Sequence, residues 1–183
     1  MAAAAEVDAE LGAQGLNLLI NNAGVLHRDS QLGKLQRQML TEAFETNTAG
    51  PLLLAEALTP ALKKAAAKNS SLPLSISRSA VIYISTGAAS IGDNNSGGKL
   101  GGYAYRLSKA AANMATRCLA LDLKEENILC VNILPGFVQT DMTGGRGNLT
   151  PAESISGMLE VFRKLGPDHN AGFYSYKGQQ FPW

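Results

Sequence analysis

Two stretches, AVIYIS at residues 80–85 and NILCVNIL at residues 127–134, are almost unbroken apolar runs of strand length. A strand that is apolar on both faces must be covered on both, as happens to parallel strands sandwiched between helices. The chain around them agrees with this. LNLLI (16–20) and GFYSY (172–176) read as two further strands, and apolar residues recur at steps of three and four along residues 31–68, 101–123 and 152–166. In the first of these helical segments Pro51 and Pro60 can bend or restart a long helix. In the last, Thr150 is placed to cap the helix, Pro151 to open it and Gly166 to end it. The serine-rich stretch KNSSLPLSISRS has no clear period and reads as a surface connection. The pattern predicts an α/β fold of repeated βα units, with a short alanine-rich helix at the start.

Length and charge narrow the function classes. The 183 residues, 45% hydrophobic, fit one domain spanning residues 1–183. Sixteen basic against fifteen acidic side chains leave a net charge of +1, so no field draws in nucleic acid or an anionic membrane. The opening MAAAAEVDAELG lacks the basic start and apolar stretch of a secretory signal, and no apolar run is long enough to span a bilayer. Cys118 and Cys130 lie in apolar runs and are expected to be free, buried thiols. A soluble cytoplasmic protein with no bound metal is the expectation.

In an open α/β sheet the ligand crevice lies beyond the carboxyl ends of the strands. The first strand runs into NNAG, residues 21–24; the second into Ser85, Thr86 and a glycine-rich loop; the third into LPGFVQTDM, residues 134–142. Each has a bland alternative, since Asn, Gly, Pro, Ser and Thr also build ordinary turns and caps. Tyr105 and Lys109 share one helical face because they are four residues apart. A cation beside a phenol favours the phenolate and lowers its pKa from about 10, which suits a general acid or base. The same spacing also arises by chance on solvated helices.

The joint order decides between these alternatives. NNAG follows one strand, Asn47 lies in a long helix, Ser85 and Thr86 follow the next strand, YRLSK opens a helix, and PG with Thr140 follows a third strand. This series resembles the short-chain dehydrogenase/reductase family across nearly the whole chain. YAYRLSKAA, ILPGFVQTDM and the ending NAGFYSYKGQQFPW are similar to its carbonyl-reductase-like branch. The resemblance implies a Rossmann-like doubly wound parallel sheet and an NADP- or NAD-dependent oxidoreductase that interconverts a carbonyl and an alcohol. It implies Tyr105 as the proton donor or acceptor, and Lys109 as the group that lowers the phenol pKa and holds the nicotinamide ribose. It further implies Thr86, with Ser85 as the alternative, as the hydroxyl that steadies the reacting oxygen, and Asn47 as the holder of a water between Lys109 and solvent. Asn21, Ala23 and Gly24 would line the adenosine side of the crevice, and Pro135, Gly136 and Thr140 the nicotinamide end. A homodimer or homotetramer, built on the helices that carry Asn47 and Tyr105, is implied as well. Loops 92–102 and 141–150 would choose the small-molecule substrate.

Two departures accompany the resemblance. Thr86 stands where the family's ISS pattern has its second serine, which keeps the hydroxyl and adds a methyl and a stiffer rotamer. The family's glycine-rich phosphate turn would precede NNAG by about seventy residues of βα units. Only about twenty residues precede it here, so the first βαβ units are expected to be missing and LNLLI to be an exposed edge strand. An inactive truncated fragment and a binding module without redox chemistry are therefore the alternatives to an active enzyme.

Overall fold

The computed structural model describes residues 2–97 and 101–183, so residues 98–100 of the first expected substrate loop lie outside the described residues. Four parallel strands, β1 (Leu18–Asn21), β2 (Ala80–Ile84), β3 (Leu129–Leu134) and β4 (Phe173–Ser175), form one sheet in the order β1-β2-β3-β4. The register pairs Leu18 with Ala80, Ala80 with Leu129, and Asn132 with Phe173. All carboxyl ends therefore open on the same side of the molecule, as the sequence pattern requires.

The helices among the described residues are α1 (Ala2–Leu11), α2 (Arg37–Phe44), α3 (Gly50–Lys68), α4 (Gly102–Asp122) and α5 (Pro151–Lys164), of which α3, α4 and α5 cover the sheet while α1 packs on α3 and α2 on α4. Leu62 and Ala66 of α3 and Ala112 and Ala120 of α4 pack on Val81, Tyr83 and Cys130 of one sheet face. Val161 and Phe162 of α5 pack on Ile82, Val131 and Ile133 of the other. The expected surface connection after α3 does more than connect, since Leu74 and Ile76 pack against this second core. Every residue of β3 is buried, whereas β1 lies at the sheet edge with Ile20 44% exposed. Among the described residues, no helix is long and apolar enough to cross a membrane.

Several expected boundaries move for local reasons. The third strand starts at Leu129 because Asn127 takes a left-handed backbone (φ 56°), a conformation Asn tolerates and a strand excludes. α5 begins as expected: the Thr150 hydroxyl accepts from Glu153 N–H, with Pro151 in the first turn. Cys118 is exposed while Cys130 is buried, which corrects the expectation for Cys118. Its neighbours along the helix face, Met114 and Leu121, are also exposed, so the apolar run around it belongs to the outer side of α4.

The expected long helix over residues 31–68 begins at Arg37, and its irregularity is a widened π turn over Glu45–Ala49. There Gly50 N–H reaches back five residues to the Glu45 carbonyl. Pro51 explains the position. A proline has no N–H to offer the carbonyl four residues earlier and its ring crowds that oxygen, which here belongs to Asn47. The widened turn points Asn47 and Thr48 into the protein, where both are buried.

Leu62 is fully buried between α3 and the sheet. Leu62→Ala should lower unfolding stability by about 2–5 kcal/mol. Leu32→Ala, at a side chain 81% exposed, should change it by less than about 0.5 kcal/mol. Urea denaturation of the two variants measures both.

Candidate active site

The side chain of Asn21 is buried at the end of β1, and among the described residues its Nδ2 has no hydrogen-bond partner. The chain continues through exposed Ala23 to Gly24. A Cβ on Gly24 would stand 3.2 Å from Asn47 Oδ1 and 3.5 Å from Lys109 Nζ, so the bare glycine lets the strand exit rest directly on both groups.

Asn47 clamps that exit. Its Oδ1 accepts from Val25 N–H at 2.8 Å, and its Nδ2 donates to Val25 O at 3.0 Å and to Ser108 Oγ at 2.9 Å. Both amide hydrogens are thereby used, and the only capacity left for a water is on Oδ1. Thr48 adds a second tie, donating its hydroxyl to Ser108 O at 2.7 Å. Ser108 Oγ in turn donates to Tyr105 O at 3.0 Å. The π turn, the β1 exit and the first turns of α4 are thus locked together.

The beginning of α4 is fixed from the same loop. Ser30, fully buried, accepts Tyr103 N–H with its carbonyl at 2.7 Å and Ala104 N–H with its hydroxyl at 3.1 Å. Gly102 is required there: its φ is +70°, and a Cβ would lie 2.3 Å from Ser30 Oγ. Tyr105 and Lys109 follow within two turns.

The two hydroxyls after β2 behave differently. The Thr86 side chain stands by the Tyr105 phenol, whose pKa it lowers, and its hydroxyl accepts Ala88 N–H at 3.2 Å. Ser85 is buried and its Oγ donates to Asn113 Oδ1 at 2.5 Å, one helical turn beyond Lys109. Of the two residues, Thr86 is therefore the one that stands with the phenol.

Lys109 is buried and donates Nζ–H to Ile84 O at 2.8 Å, an anchor on the end of β2. Loss of hydration brings its pKa down to about 8. Burial pushes the Tyr105 phenol above its ordinary value, and the Thr86 hydrogen bond pulls it part of the way back. Desolvation is the largest influence on Tyr105, and the Lys109 amine donates to a strand carbonyl. The arrangement holds a phenol O–H beside a hydroxyl, with a buried amine one turn away, a set of groups chemically able to pass a proton.

The third expected group is built mainly by the backbone. Pro135 O accepts Ser154 Oγ at 2.7 Å. Gly136 has φ +85°, and a Cβ on it would lie 2.6 Å from Leu149 Cδ1. Thr140 is exposed, opens the turn Asp141–Thr143, and donates its N–H to Thr143 Oγ1 at 3.0 Å. Arg28 crosses from the loop after β1 to hydrogen-bond Met142 O, which joins two loops of the same end.

Sequence reading missed Ser30, Thr48, Ser108 and Asn113. A usable signal existed for two of them: Ser108 and Asn113 lie on the same helix as the buried Ala112 and Thr116, so their polar groups needed internal partners.

Residues 1–148 match the short chain dehydrogenase family. The chain belongs to that family. It is an oxidoreductase family that uses NAD(P). The C-signal protein of Myxococcus xanthus is 36% identical over 168 residues, which cover 92% of this chain and 93% of that protein. Carbonyl reductase Sniffer of D. melanogaster is 39% identical with a TM-score of 0.95, matching 99% of this chain and 72% of its own. The NADPH-bound carbonyl reductase from chicken fatty liver is 41% identical with a TM-score of 0.92, matching 100% of this chain and 71% of its own.

Two features of the crevice suit a dinucleotide. Asn21 Nδ2 is a buried donor without a partner among the described residues, and Gly24, having no side chain, brings the strand exit close to Asn47 and Lys109. Both fit the hydroxyls and phosphates of such a ligand.

Asn47→Ala leaves the Val25 N–H and C=O unpaired and should lower stability by about 1–3 kcal/mol. Denaturation of the variant measures this loss.

Proposed function

We propose that this chain reduces small aldehydes, ketones or quinones to alcohols with NADPH and runs the reverse oxidation with NADP. The observation that carries the reading is Tyr105 beside Thr86, with buried Lys109 one turn along the same helix and anchored on Ile84 O. The NADPH-bound state of the similar chicken reductase supports the choice of cofactor. Asn21, Gly24 and Lys109 would hold the dinucleotide from the β1 side, with Pro135, Gly136 and Thr140 at the nicotinamide end. When bound, it supplies or accepts the hydride. Tyr105 passes its phenolic proton to the carbonyl oxygen, and takes a proton back from the alcohol in the reverse direction. Thr86 holds the same oxygen with its hydroxyl. The Lys109 ammonium stabilises the phenolate that Tyr105 leaves behind, and the free lone pair of Asn47 Oδ1 receives a water that returns a proton to it.

The same reading includes a paired state in the cytoplasm, for which the unlinked thiols Cys118 and Cys130 are suited. Leu107, Met114 and Leu121 are all more than half exposed and recur every seven residues on α4. A seven-residue apolar stripe is the pattern by which helices pair, and a second copy of this chain offers the matching stripe.

Titration with NADPH and NADH, followed by turnover on a panel of aldehydes, ketones and quinones, tests the reading. Tyr105→Phe should retain NADPH affinity while kcat falls a hundredfold or more, the loss expected when a general acid is removed. Unchanged turnover would exclude the phenol from the reaction. The pH profile provides a second check. Tyr105 is shifted up and stays protonated through mild alkali, whereas Lys109 is shifted down and loses its charge as pH rises through about 8. For carbonyl reduction kcat/KM should therefore be level below about pH 8 and fall above it. Light scattering should show a dimer that Met114→Glu converts to a monomer.

A further inference from the structure

The last residues of the chain touch the loop that carries Thr86. After β4, Gly178 (φ +80°) turns the chain back, Tyr174 and Gln180 form an antiparallel bridge, and Phe181 N–H donates to Phe173 O at 2.8 Å. The rings of Phe181 and Trp183 then pack on fully buried Phe173, with centroids 5.3 and 5.6 Å from it. The Arg117 guanidinium lies 5.7 Å from the centre of the Trp183 ring.

From this aromatic base the main-chain oxygen of Trp183 reaches the loop after β2. It accepts Gly92 N–H at 2.7 Å and the hydroxyl of buried Ser90 at 3.3 Å. Ser90 Oγ itself accepts Asp93 N–H at 2.9 Å. Gly87 gives the Phe181 ring room, since a Cβ there would stand 3.4 Å from Phe181 Cζ. This loop starts at Thr86, whose hydroxyl meets Tyr105, and Gly87–Ala89 form a short 3-10 turn between the two contacts. Further along, Asn94 Oδ1 accepts from Arg106, the neighbour of Tyr105, at 2.6 Å. The loop is held on its inner side by α4 and on its outer side by the strap of residues 181–183.

We infer that Phe181–Trp183 is a positioning strap that sets where Thr86 and the substrate-facing wall stand relative to Tyr105, and so governs how well the carbonyl substrate is used. The inference rests on the reading of Tyr105 and Thr86 as the reducing site. The strap's contacts are with Phe173, Arg117 and the loop of Gly87, Ser90 and Gly92, none of them a group assigned to the dinucleotide, so the strap acts on the carbonyl substrate more than on dinucleotide affinity.

Trp183 is the single tryptophan of the chain, so its emission reports whether the strap is docked. Trp183→Ala, Trp183→Phe and Ser90→Ala, made in the full chain, carry the test. Trp183→Ala should speed amide hydrogen exchange of residues 88–93 about tenfold while β3 exchanges as before, because local opening is separable from global unfolding. It should raise KM for the best substrate of the panel about tenfold or lower kcat to match, with the NADPH Kd within twofold of wild type. Trp183→Phe, which keeps a ring on Phe173, should restore both, and Ser90→Ala should show the same pattern more weakly with native tryptophan emission. Unchanged exchange in the loop overturns the inference, as does exchange that rises equally in β3, or faster loop exchange with kcat and KM unaltered. A wild-type chain without turnover would remove the assigned chemistry instead, while loop exchange still shows whether the strap holds the loop.

Discussion

The geometry of the crevice depends on one amide. Asn47 holds Val25 with a donor and an acceptor and Ser108 with its second hydrogen, so three segments distant in sequence meet at a single side chain. It reaches them because the π turn directs it inward, and that turn is placed by Pro51 four residues later. A regular helix would satisfy its own backbone there and carry residue 47 at a different angle. Backbone regularity is given up locally, and three well-formed hydrogen bonds offset the cost.

Burial sets the electrostatic character of the pair on α4. A phenol deprived of water keeps its proton, and an amine deprived of water sheds one more readily. Tyr105 and Lys109 are displaced apart in pKa for this reason, the phenol upward and the amine down to about 8. The Thr86 hydroxyl opposes the upward shift of the phenol, so a neighbouring hydrogen bond fine-tunes what desolvation sets.

Much of this was legible in the chain because it follows from periodicity. The unbroken apolar runs gave β2 and β3 within two residues of their ends, and Thr150 with Pro151 marked the start of α5. What stayed hidden depends on partners far away in sequence. Asn132 reads as an interruption of an apolar strand, yet it is fully buried and accepts the Thr116 hydroxyl at 2.9 Å. Ser85 and Thr86 are chemically alike and adjacent just past β2, and which of them meets Asn113 and which Tyr105, both on α4, depends on how the chain leaves the strand. Cys118 looked like core because composition does not say which side of a helix an apolar residue occupies. The helix break was sought at the prolines, whereas proline acts on the turn before it.

The parallel order of the strands divides the molecule along its length. Groups suited to proton transfer come from β1, the π turn, β2 and α4, while the stretch from β3 onward contributes the rim, residues 141–150, and the closing aromatic segment. Most groups suited to proton transfer thereby precede β3, and part of what shapes the rim follows it. Changes in the later stretch can redraw the outline of an acceptable molecule without disturbing the atoms that react, which leaves selectivity free to drift among descendants while the reaction stays the same.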